Sequence, residues 1–149
     1  KLLTLRDDLT IFTNSVPILN LLSDSGNQVF ALGGRVRGSS KGIVGGWAIE
    51  AIRQTHVELA FLGSDGFQNL SGPSTLSYEE AQLKQAVMAH SGKTVILSDN
   101  RKFYTGSLFQ FCRWDQVYAL VTNHTQDTQD EIFHSALEII KKDTQILFS

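Results

Sequence analysis

A pattern repeated five times constrains this chain more than any other feature: a short run of β-branched and aromatic residues stops at a small or polar loop. Leu9 to Thr13 runs into Asn14 and Ser15, and Gln28 to Leu32 into Gly33, Gly34 and Arg35. Leu59 to Leu62 runs into Gly63, Ser64, Asp65 and Gly66, Thr94 to Leu97 into Ser98 through Lys102, and Val117 to Val121 into Thr122, Asn123 and His124. Runs that are apolar throughout are the signature of parallel strands covered on both faces by helices. In open sheets of that kind ligands bind at the carboxyl ends of the strands, so the polar loops are the place to look for function.

Segments with helical spacing lie between these runs, and the alternation of strand and helix predicts an α/β fold with an open, mainly parallel sheet and helices on both faces. A helix is predicted from Val16 through Leu22, with Asn14 or Ser15 as its cap and Pro17 in its first turn. A second is predicted from Trp47 to Gln54, with Ala48, Ile49, Ala51 and Ile52 inward. A third runs from Tyr78 to about His90, with Ser77 and Glu80 spaced like a capping box. The last is predicted from Thr128 to Lys142, with Ile132, Phe133, Ala136, Ile139 and Ile140 inward and Lys141 and Lys142 at the negative end of its dipole. Residues 33–46 break the rhythm: glycine-rich, with Arg35, Arg37 and Lys41, they predict a ribbon near a sheet edge. That ribbon can approach a phosphate, be solvated, or contact another subunit.

The chain has the length of one domain with a single core. A formal net charge of -2 gives no general attraction to nucleic acid or anionic lipid, so direct nucleic-acid binding by this segment is not expected. No apolar stretch is long enough for a membrane span. The single cysteine, Cys112, is expected to be a buried small hydrophobe, and its solitude suits a reducing cytoplasm. His56, His90, His124 and His134 lack the spacing of a helical metal pair, so no metal or other cofactor is expected. No nucleophile elbow or Walker loop occurs, and Gly33-Gly34 falls short of a dinucleotide fingerprint. What remains is carboxylates and lysines at strand ends: Asp65, Asp99 and Lys102, with Glu79, Glu80 and Lys84 opening the third helix. Such groups can bind a polyol and a phosphate, and can also transfer protons. Glu80 and Lys84, one helical turn apart, can equally be a surface ion pair.

The order of these motifs resembles the effector-binding domain of the DeoR family of sugar-operon repressors. The resemblance rests on Thr13-Asn14-Ser15, Leu32-Gly33-Gly34-Arg35, Val44-Gly45, Ala60 through Gly66, Glu79-Glu80-Ala81 with Lys84, and Ser98 through Phe103. It implies a fold shared with ribose-phosphate isomerase, glucosamine-phosphate deaminase and coenzyme A transferases. It further implies a phosphorylated sugar or related metabolite as effector, a homo-oligomer in the cytoplasm, and operator DNA contacted only through an attached winged helix-turn-helix.

The ligand set expected from the resemblance is Asn14, Ser15, Gly33, Gly34, Asp65, Gly66, Glu79, Glu80, Lys84, Asp99 and Lys102. Asp65 and Glu79 or Glu80 would meet sugar hydroxyls, while Lys102 and donors near Asn14 would meet the phosphate. The basic ribbon and exposed aromatics such as Trp114 are expected to supply subunit contacts.

Departures from the family are informative. The Asp-x-Gly-Thr-Thr loop and the DNA reader do not occur in residues 1–149, so the chain is expected to be a domain that begins one helix late, with Leu2 to Leu5 as a helix end. Arg101 stands where the family usually has serine. An isomerase on the same fold is the alternative. In one alignment its second acid would fall on Gln68, which cannot act as a base.

Overall fold

The computed structural model describes residues 2–67, 71–125 and 129–149, so Gln68 and the expected helix start at Thr128 lie outside the described residues. The chain forms two compact units, Lys1–Thr55 and His56–Ser149.

In the first unit a turn of 3-10 helix, Leu2–Leu5, precedes β1 (Thr10–Thr13), α1 (Val16–Leu22) and β2 (Gln28–Ala31). β1 and β2 pair in parallel, Phe12 beside Phe30, and the two rings stack at 4.9 Å. Ser15 is the cap of α1, its hydroxyl accepting from the Ile18 N–H at 3.4 Å, and Pro17 sits in the first turn, where its missing donor costs nothing. Residues 33–46 do form a ribbon: β3 (Arg35–Val36) pairs antiparallel with β4 (Ile43–Val44). The ribbon is latched to the end of β1, because Ile43 N–H donates to the Asn14 carbonyl at 2.7 Å and the Asn14 amide donates to the Ile43 carbonyl at 3.0 Å. α2 (Gly46–Arg53) follows, burying Ala48 and Ile52 fully and Ile49 and Ala51 in part.

The second unit holds β5 (Val57–Gly63), β6 (Ser74–Thr75), α3 (Tyr78–Ala89), β7 (Ser91–Leu97), β8 (Phe109–Gln110), β9 (Ala119–Thr122), α4 (Glu131–Ile140) and β10 (Gln145–Phe148). Four strands make one parallel sheet in the order β10-β9-β7-β5. Leu62, Ile96, Leu120 and Ile146 are register partners across it, and this apolar row meets Ala81 and Met88 of α3 and Phe133, Ala136, Leu137 and Ile140 of α4. Aromatic rings fill the layer: Phe67 stands edge-on to Phe103 at 4.8 Å and to Trp114 at 5.1 Å, and Phe103 tilts against Phe133 at 4.5 Å. Such pairs contribute about 0.5–1.5 kcal/mol each beyond their burial. β6 and β8 form a separate antiparallel pair at the carboxyl end of β5, tied to it by the Gly66 and Ser74 bridge.

Three expectations are corrected and one strand is added. Trp114 is only 4% exposed, held between Phe67 and the Thr144 hydroxyl that donates to its carbonyl, and so it offers no contact surface. Ile132 and Ile139 are 51% and 59% exposed, because the inward stripe of α4 is Phe133, Ala136, Leu137 and Ile140. α4 is shorter than expected, capped by Asp130, whose carboxylate accepts from the Phe133 N–H at 3.0 Å. β10, absent from the sequence reading, is a full member of the sheet.

Candidate functional site

The carboxyl end of β5 is built by a serine. The Ser64 hydroxyl lies 3.2 Å from the Gly66 N–H and 3.0 Å from the Ser74 carbonyl, closing the turn that carries Asp65. Gly66 is required there, because a Cβ would fall 2.1 Å from the Thr105 carbonyl oxygen. Thr105 fastens the same turn from the other side, its hydroxyl donating to the Asp65 carbonyl at 3.0 Å. The Phe67 N–H donates to the Lys102 carbonyl at 3.2 Å, so the loop after β5 and the 3-10 turn Asn100–Tyr104 after β7 are one hydrogen-bonded assembly.

Within this assembly the Asp65 carboxylate accepts from the Leu76 N–H at 2.9 Å and lies 2.8 Å from the Thr75 hydroxyl. The same hydroxyl lies 2.8 Å from Glu80 Oε2 in the first turn of α3. Burial pushes the Asp65 carboxyl up, but the hydrogen bonds from Leu76 and Thr75 and the positive charges of Lys84 and Lys102 outweigh it and hold the group below its ordinary range. Lys84 also stands over the Phe111 ring at 4.9 Å. Thr75 thereby joins Asp65 and Glu80 at a strand end, within range of the positive charges of Lys84 and Lys102 that act on Asp65. Glu79 adjoins Glu80 in the first turn of α3, whose cap is Ser77.

The other expected site residues have local roles. Asp99 caps the turn that follows β7 and holds Arg101 in a forked ion pair at 2.9 and 3.0 Å, which lowers the Asp99 carboxyl below its ordinary range. In the first unit Asn14 latches the ribbon and Ser15 caps α1. Gly34, at φ +139°, lies where a Cβ would meet the Val44 carbonyl at 2.4 Å, whereas a Cβ on Gly33 would meet nothing within 4 Å. Gly34, Arg35, Val44, Gly45, Gly46 and Trp47 line an open depression of about 430 Å³. Cys112 is buried, and burial pushes its thiol up to about 12, so it is inert as a nucleophile.

Thr75, Ser64 and Thr105 were missed from sequence. Each makes a contact ten or more residues away, Ser64 with Ser74, Thr75 with Asp65 and Thr105 with Asp65, and isolated hydroxyl residues in a loop carry no spacing signal. Among the described residues no cluster of three or more His, Cys, Asp or Glu could hold a metal, and no helix is long and apolar enough to cross a membrane.

Comparison with known proteins decides the family. The model of the DeoR C-terminal sensor domain matches residues 1–124. The chain belongs to that family. A transcriptional regulator named GlpR from Haloferax volcanii is 28% identical over 130 residues, covering 86% of this chain and 51% of the relative. A lactose phosphotransferase system repressor from Staphylococcus epidermidis is 28% identical over 135 residues, covering 89% and 53%. The repressor GlcR of Bacillus subtilis is 26% identical over 117 residues, covering 78% and 45%. This DeoR-type sensor domain therefore spans about half the length of the curated relatives it matches.

Proposed function

We propose that this sensor domain binds a phosphorylated sugar or a related metabolite and thereby controls operator binding by a helix-turn-helix attached to it, as part of a cytoplasmic repressor of a sugar-metabolism operon. The observation that carries the reading is the grouping at the end of β5: paired carboxylates for hydroxyls, with the ammonium groups of Lys84 and Lys102 beside them. A relative named for a lactose phosphotransferase system supports the ligand class. Control requires two states of unequal ligand affinity, and a symmetric dimer or tetramer is the assembly expected to carry them.

Charge predicts how variants divide. A sugar phosphate carries nearly two negative charges near neutral pH, which Lys102 attracts, whereas Asp65 is useful only as an acceptor from sugar hydroxyls. In the full-length protein, Lys102→Ala should weaken phosphorylated ligands on the order of tenfold to a hundredfold and leave the unphosphorylated sugar nearly unchanged, while Asp65→Asn should weaken both. Calorimetry measures this, and the sugar phosphate should be recovered unchanged, as a sensor rather than an isomerase requires. If Lys102→Ala weakens the bare sugar as much as its phosphate, the placement of the phosphate is wrong.

A further inference from the structure

The Thr75 hydroxyl, wholly buried, lies 2.8 Å from Asp65 Oδ2 and 2.8 Å from Glu80 Oε2. A hydroxyl carries one proton, so it donates to one of these oxygens at a time. The Leu76 N–H holds the Asp65 oxygen from a second direction at 2.9 Å, so the backbone of β6 and the residue after it set where that carboxylate stands. Glu80 comes from another element, the first turn of α3, and Thr75 is the atom-scale link between the two. The carboxylate oxygens are thereby kept no farther apart than two hydrogen bonds placed end to end. That spacing suits neighbouring hydroxyls on one carbon chain, each donating to a different carboxylate.

We propose that Thr75 is a positioning residue for the ligand: by sharing one hydroxyl between Asp65 and Glu80 it sets the two carboxylates as a matched pair of acceptors for adjacent hydroxyls of a polyol. This rests on the sugar-phosphate reading above and deepens it. Among the described residues, the charges that act on Asp65 are those of Lys84 in α3 and Lys102 in the turn after β7, and Glu79 adjoins Glu80 in the first turn of α3.

Two arms test it on full-length protein carrying Thr75→Val, which keeps the shape, and Thr75→Ser, which keeps the hydroxyl. In ligand-free protein, an NMR titration of the Asp65 carboxyl should move to higher pH in Thr75→Val and return in Thr75→Ser. In calorimetry the probes are the terminal-carbon phosphates of glucose, galactose and fructose, each against an analogue lacking one hydroxyl. The wild type and Thr75→Ser should prefer the hydroxylated probe, and Thr75→Val should lose that preference by on the order of tenfold. General damage to the fold would weaken both members of a pair alike and leave the preference intact, which overturns the proposal. An Asp65 titration unmoved by Thr75→Val, or not restored by serine, also overturns it, whatever the probes do. If no probe binds wild type while the Asp65 titration behaves as stated, the sugar-phosphate reading fails, and the ligand part of this proposal falls with it while the carboxylate link stands.

Discussion

At the scale of single residues, the site depends on atoms that leave no room. Gly66 has no freedom to be anything larger, because its missing Cβ would lie 2.1 Å from a backbone oxygen of Thr105 and 2.5 Å from that residue's hydroxyl. Backbone cannot swing aside as a flexible side chain can, so Gly66→Ala should cost about 1–3 kcal/mol, the usual penalty of overpacking. Gly33→Ala, with nothing within 4 Å of its added carbon, should change stability by less than about 0.5 kcal/mol. Denaturant unfolding of the two variants checks the contrast, and equal midpoints would contradict it. Asp65, Glu80, Lys84 and Lys102 were legible because charged residues that follow an apolar run, or open a helix, have few structural duties to explain them. Asp99 satisfied the same rule, yet the structure gives its carboxylate to Arg101 and to the cap of its own turn. Sequence position cannot separate a carboxylate aimed outward from one folded onto a neighbour two residues away.

Among the elements, strands were read more surely than helix faces. The apolar runs fall on β1, β2, β5, β7 and β9, although β5 and β7 begin earlier than expected, since pairing to a neighbour carries Val57, Glu58 and Ser91 into the ladder. β10 was missed because a four-residue run after a lysine pair has no loop signature of its own, and only β9 makes it a strand. In α4, apolar residues occur on more than one face: both Ile132 and Phe133 fit helical spacing, and only packing decides which points inward. The structure chooses Phe133, wholly buried against Phe103, and leaves Ile132 half exposed. Phe133→Ala should therefore cost about 3–5 kcal/mol through the cavity it leaves. Ile132→Ala should cost less than about 1 kcal/mol, since surface changes have small effects. Thermal unfolding in which Ile132→Ala cost as much as Phe133→Ala would restore the expected face, on which both residues point inward.

For the whole molecule, the family is that of a sensor domain, and the site proposed for its ligand is the end of β5, where Asp65 and Glu80 share the Thr75 hydroxyl and the charges of Lys84 and Lys102 act on Asp65. A sensor of this kind stabilises its ligand-binding state by mass action, so recognition is measurable without knowing the operator or the gene it controls. The direct measurement is a thermal-shift series on full-length protein with a library of sugar phosphates, the matching unphosphorylated sugars and inorganic phosphate. A cognate sugar phosphate at roughly a hundred times its Kd should stabilise the fold by about 2.7 kcal/mol, raising Tm by several degrees, with a far smaller response to the bare sugar. A library in which no sugar phosphate shifts Tm, or in which the bare sugars shift it as far as their phosphates, would contradict the assignment of a phosphorylated sugar as the effector.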